Sequence, residues 1–111
     1  MDIVFKDSKF EEECNNQNLL EKRHGQNRAK RIRRRLDDLR AATVLEDMRY
    51  LPGRCHELKY DRAGQLSLDL DHPYRLIFEP ADEPIPTKPD GGLDWTKVTA
   101  VTILGIEDTH E

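Results

Sequence analysis

Long apolar runs are missing from this chain of 111 residues. No stretch approaches the roughly 20 residues that a membrane-spanning helix requires, and the opening residues MDIVFKDSKF are charged from the second position, unlike a signal peptide. These absences point to a cytoplasmic protein without a membrane partner. Cysteine is scarce too: Cys14 and Cys55 are too few for a disulfide framework, and each sits in an apolar-periodic segment, as a reduced, partly buried thiol would. No CxxC or HExxH spacing, no glycine-rich phosphate loop and no GxSxG elbow occurs, so no cofactor is implied and the common zinc, nucleotide and hydrolase motifs are excluded. Internal repeats are also lacking.

What the chain has in quantity is charge. Hydrophobic and charged residues each make up 36%, and the mean hydropathy of −0.83 describes a soluble fold with an economical core. The length suits one domain, residues 1–111. A net charge of −4 argues against a nucleic-acid binder, but residues 22–40 hold nine of the eighteen Lys and Arg with only two acids, while the C-terminal third is acidic. The molecule is polarised, and such a basic stripe is either an electrostatic footprint for phosphates or a solvated helix face.

Periodicity gives the element order. Residues 2–6 alternate as a first strand. Ser8 with Glu11 forms a capping box for a helix that ends near His24 and Gly25. Asn27 then caps a second helix whose Ala29, Ile32, Leu36 and Leu39 mark one face, with Lys30, Arg31, Arg34 and Arg35 mostly on the outer one. Helical patterning fades after Ala41 and stops at Pro52-Gly53. The period then changes to two: His56, Leu58 and Tyr60 share one strand face and Cys55, Glu57 and Lys59 the other. Leu66, Leu68 and Leu70 alternate with Ser67, Asp69 and Asp71, and Tyr74, Leu76 and Phe78 with Arg75, Ile77 and Glu79. Residues 79–95, with Pro80, Pro84, Pro86, Pro89 and Gly91-Gly92, form a long loop. Its Trp95 is either a core cap or, with Leu93, an apolar anchor for a partner. VTAVTILGI closes the chain, apolar on both faces as a central strand is. The predicted fold is α+β: an N-terminal strand, a two-helix hairpin, then an antiparallel meander forming a small twisted sheet.

Cleaving RNA without a metal needs a base for the 2′-hydroxyl proton, an acid for the leaving oxygen and cations for the charge that builds on phosphorus. His56 at a strand start, His110 past the last strand and Arg75 in mid-strand are residues of that kind. Arg75 must face solvent or a ligand, unless it pairs across strands with Asp69 or Glu57. Each histidine also has an ordinary surface reading. A metal site from Cys55, His56, His72 and His110 is disfavoured, because Cys55 and His56 point to opposite strand faces.

Several separated segments recur in fixed order: Pro52-Gly53-Arg54-Cys55-His56-Glu57-Leu58-Lys59, Asp61-Arg62-Ala63-Gly64, Tyr74-Arg75-Leu76-Ile77-Phe78 and Ile106-Glu107-Asp108-Thr109-His110. Together they resemble the HigB branch of the RelE/ParE toxin superfamily, with its pattern H-x-L-K-x-D-R-x-G, then [WY]-R-[IL]-x-F, then D-Y-H. Thr109 stands where that pattern has Tyr, and Tyr60 where it commonly has Gly. The resemblance spans essentially the whole chain. It implies a RelE-like toxin that enters the ribosomal decoding site and cleaves mRNA, held inactive by an adjacently encoded helix-turn-helix antitoxin of the HigA kind. It further implies that His56, Arg75, Asp108 and His110 are catalytic, and that Lys59, Arg62, Lys30, Arg31, Arg34 and Arg35 contact RNA or the ribosome. A second reading is a non-catalytic ParE-like gyrase inhibitor, or a degenerate toxin that only binds antitoxin.

Overall fold

The computed structural model describes residues 1–108. Strand β1 (Asp2–Phe5) is followed by three helices, α1 (Ser8–Cys14), α2 (Gln17–His24) and α3 (Gln26–Ala41), and a 3-10 helix at Leu45–Tyr50. Strand β2 (His56–Glu57), a 3-10 turn at Tyr60–Arg62, β3 (Leu66–Asp69), β4 (Tyr74–Pro80) and β5 (Ala100–Asp108) complete the chain. The sheet order is β1-β5-β4-β3-β2, with β1 parallel to β5 and every other pair antiparallel. The α+β fold and the central last strand are as expected. A parallel β1–β5 pair has to be linked by a long crossover, which here contains the helices and the meander.

The helical region differs from the sequence reading in three places. The first helix is broken in two, because the Asn16 side chain accepts from the Leu19 amide (3.1 Å) and starts a new helix. Its N-cap is Asp7 rather than Ser8, accepting from the Lys9 amide at 2.8 Å, where a carboxylate also complements the positive helix end. Gly25, at φ +82°, rather than Asn27, occupies the cap before α3. A Glu13–His24 contact of 2.8 Å ties α1 to α2 beside Phe10.

The core lies between helices and sheet. Leu20, Ile32, Leu36 and Leu39 of the helices meet Leu66, Leu68, Leu76, Phe78, Val101 and Ile103 of the strands, all essentially inaccessible. Burying a side chain of this size contributes about 1.5–3 kcal/mol, so this layer dominates the fold. Arg28 of α3 locks the helix layer to the β3–β4 turn, donating from Nε and a terminal nitrogen to Asp71 at 3.0–3.2 Å while its guanidinium lies 3.5 Å over the Tyr74 ring.

Residues 79–95 form the proline-rich excursion, although Pro80 still belongs to β4. A Thr87–Leu93 bridge folds its tip, and the Asp82 carboxylate, accepting from the amides of Thr99 and Ala100, pins its start. Trp95 folds back as a core cap. It is 6% exposed, donates from Nε1 to Glu57 at 2.9 Å, and lies under the Arg49 guanidinium at 4.2 Å.

Candidate active site on the open face of the sheet

Cross-strand partners share a sheet face, so register sorts the side chains. One row runs His56, Ser67, Ile77, Gly105, and the next runs Asp69, Arg75, Glu107. These residues alternate with the core leucines and therefore occupy the face turned from the helices. Ser67 and Ile77 are nonetheless fully buried there. The cover is the segment after β2. Leu58 donates its amide to Gln65 (2.8 Å), and Arg62 reaches from the 3-10 turn to Glu107 on β5, a bidentate pair at 2.9 and 2.8 Å. Arg62 Nε also donates to the Gln65 side chain at 2.7 Å, so the turn is fastened at both ends.

This turn corrects the strand reading. β2 is only two residues long, and Tyr60 does not share a strand face with His56, because its backbone is left-handed at φ +59°. Among the described residues, Arg54 (φ +50°) is the other non-glycine residue in that region. Both bracket His56. Side chains rarely adopt this conformation because Cβ crowds the backbone, and such residues gather at functional sites.

His56 Nδ1 lies 2.8 Å from the Arg54 carbonyl oxygen. A carbonyl only accepts, so Nδ1 carries a proton, and in the neutral ring Nε2 is the basic nitrogen. The Arg54 side chain turns the other way and donates from Nε to Asp69 at 3.0 Å, while Arg75 Nε approaches the other oxygen of the same carboxylate at 3.4 Å. Two guanidinium groups thus converge on one acid. They line a small cavity of about 90 Å³ together with His72 and Tyr74. The neighbouring Cys55 faces the core, where burial pushes its thiol up to about 12 and leaves it inert at neutral pH.

The expected site residues are only partly assembled. His56 and Arg75 share the face turned from the helices, and Arg75 makes the cross-strand contact with Asp69 foreseen as its alternative. Asp108 is paired in register with Tyr74, whose ring packs under Arg28, so it falls on the opposite face from Arg75. The acid in register with Arg75 is Glu107. His110 lies outside the described residues. Lys59 is exposed beside the turn, and Arg62 is joined to Glu107.

On α3, Lys30, Arg31 and Arg34 are exposed and line a cavity of about 310 Å³ with Asn27 and Pro52. Arg35 is a correction. Expected on the outer face, it is 6% exposed and donates from Nε to the Asp69 carbonyl at 2.9 Å. Burial lowers its pKa from the ordinary arginine value. Gly53 makes room for it, since a Cβ there would lie 2.7 Å from Arg35 Nε. Arg54, Asp69 and Glu107 were not singled out from sequence as site residues. The signal that finds them is the pairing of strands, together with the left-handed backbone at Arg54.

The chain folds as a five-stranded mixed α+β sheet with its helices on one face and with His56 and Arg75 on the other. Over 99% of this chain and 100% of the other, it matches a YoeB/ParE toxin from Agrobacterium tumefaciens with TM-score 0.61 at 12% identity. Two structures from Staphylococcus aureus, a YoeB-YefM complex (TM-score 0.58, 16% identity) and a YoeB dimer (TM-score 0.57, 17% identity), each match over 100% of this chain and 98% of theirs. At these identities the likeness is one of fold, and it does not distinguish the HigB branch. No family model and no curated protein matches the sequence.

Proposed function

We propose that this chain is the toxin of a type II toxin–antitoxin system, a ribosome-dependent endoribonuclease folded as one domain over residues 1–111. The observation that carries this is His56 on the same sheet face as Arg75, with its Nε2 left as the basic nitrogen by the Arg54 carbonyl. Nε2 takes the proton of a ribose 2′-hydroxyl. The 2′-oxygen bonds to the adjacent phosphorus, the bond to the 5′-oxygen breaks, and a 2′,3′-cyclic phosphate and a 5′-hydroxyl end result. Arg75, with Arg54 beside it, stabilises the phosphorane-like charge. His110 is the candidate acid for the leaving 5′-oxygen; Asp108, which falls on the opposite sheet face from His56 and Arg75, takes no part in the step proposed here.

Lys59, Lys30, Arg31 and Arg34 are proposed to hold RNA or the ribosome, which would supply much of the substrate positioning. The partner is a helix-turn-helix antitoxin of the HigA kind, supported by the fold shared with a YoeB-YefM complex. The setting is the cytoplasm; among the described residues no helix is long and apolar enough to cross a membrane.

Two observations favour a second reading. Asp69 already neutralises Arg54 and Arg75, and Asp108 faces away, which would suit a binding toxin that inhibits gyrase without cutting RNA. A cell-free translation reaction beside a gyrase supercoiling assay separates the two. Loss of translation with cut mRNA supports the ribonuclease, and loss of supercoiling with intact mRNA replaces it.

A further inference from the structure

We propose that Tyr60 is a stacking platform for one base of the RNA strand that crosses the open face. This rests on the ribonuclease reading and adds to it the side chain that grips a base.

Tyr60 is unfavourable for folding on two independent counts. Its φ of +59° crowds a bulky Cβ against the backbone, where glycine would be free of strain. The residue is 91% exposed, so no burial offsets that strain. Tyr50, at 84% exposed, shows that a surface tyrosine is tolerated here, but Tyr50 needs no left-handed backbone. A strained residue persists where the surroundings hold it, and the surroundings here are rigid. The Arg62 amide donates to Lys59, that of Ala63 to Tyr60 and that of Gln65 to Arg62, each at 3.1 Å. The Arg62 side chain then bolts the turn to Glu107, which stands in register with Arg75.

The ring is therefore presented on a fixed turn at the border of the face that holds His56 and Arg75. Lys59 beside it is an exposed cation. An aromatic face next to a cation is how proteins hold single strands, the ring taking a base and the cation a phosphate, whatever the sequence.

The test uses ribosomes programmed with a defined mRNA, and compares wild type with Tyr60→Phe, Tyr60→Gly and Tyr60→Asn for cleavage rate and melting temperature. Tyr60→Phe should cleave at close to the wild-type rate. Tyr60→Gly should melt at or above wild type because strain is relieved, yet cleave roughly five- to a hundredfold more slowly, the span of one base–aromatic stack. Tyr60→Asn, which also tolerates φ > 0, should behave as Tyr60→Gly and replaces it if that variant does not fold. Wild-type cleavage by both overturns the stacking role while leaving the ribonuclease intact, and marks Tyr60 as an anchor for something else. A Tyr60→Gly protein that melts below wild type contradicts the strain on which the proposal stands. Uncut mRNA with wild-type protein removes the ribonuclease reading and this inference together.

Discussion

His56 and Arg54 are locked to one another: the imidazole Nδ1 donates to the Arg54 carbonyl across 2.8 Å while the Arg54 backbone sits at φ +50°. The strained residue sets the tautomer of the candidate base, while its side chain is engaged with Asp69. Replacing His56 by Ala should lower mRNA cleavage by about 10²–10⁴, the usual worth of a positioned base. Arg54→Gly keeps both carbonyl and left-handed backbone, so it should lose less activity than His56→Ala. Cleavage rates for the pair check this; equal losses would mean that the Arg54 guanidinium matters as much as the imidazole.

Asp69 should act as an internal competitor for the phosphate. It binds Arg54 and Arg75 from a half-exposed position, where such pairs contribute at most about 1 kcal/mol. Asp69→Asn is therefore expected to melt within a few degrees of wild type and to cleave faster, because both guanidinium groups are released. Slower cleavage would instead make Asp69 a positioning residue for Arg75.

Arg35 and Gly53 should be structural. Truncating Arg35 to Ala leaves the Asp69 carbonyl without its donor and removes a buried side chain, a loss of about 2–3 kcal/mol. Gly53→Ala combines φ +111° with a clash on Arg35 and should be at least as damaging. Urea unfolding of both variants measures this. A Lys30→Ala variant, exposed on the same helix, should unfold like wild type.

Stability should fall in acid through Asp71. The hydrogen bonds from Arg28 are the largest of the causes that hold its carboxyl below the ordinary aspartate value, outweighing the opposing effect of burial. A depressed folded-state pKa means that this contribution is present above the unfolded-state value, about 3.9, and is lost as pH falls through the folded value. Thermal melts of wild type and Asp71→Asn across the acid range test it: the variant should show less acid destabilisation.

What was legible in the sequence was local or strongly periodic. VTILGI reads as a central strand because it is apolar on both faces, and the α3 core face follows from Ala29, Ile32, Leu36 and Leu39. Arg35 was misplaced although it stands three residues after Ile32 and four before Leu39, the spacing of the buried face; charge type overrode position. The face of Asp108 depends on a β4–β5 register with a bulge between Ile77 and Phe78, and no local pattern encodes that. Tyr60 followed an alternation that ended at Glu57, since nothing in a tyrosine announces a left-handed backbone.

The most direct measurement is the mapping of mRNA 5′ ends in a cell-free translation reaction supplied with wild-type protein or with Arg75→Ala. New 5′ ends at positions occupied by ribosomes with the wild type, and none with a folded Arg75→Ala protein, are the predicted result. Intact mRNA with wild-type protein, or unchanged cleavage by Arg75→Ala, would contradict it.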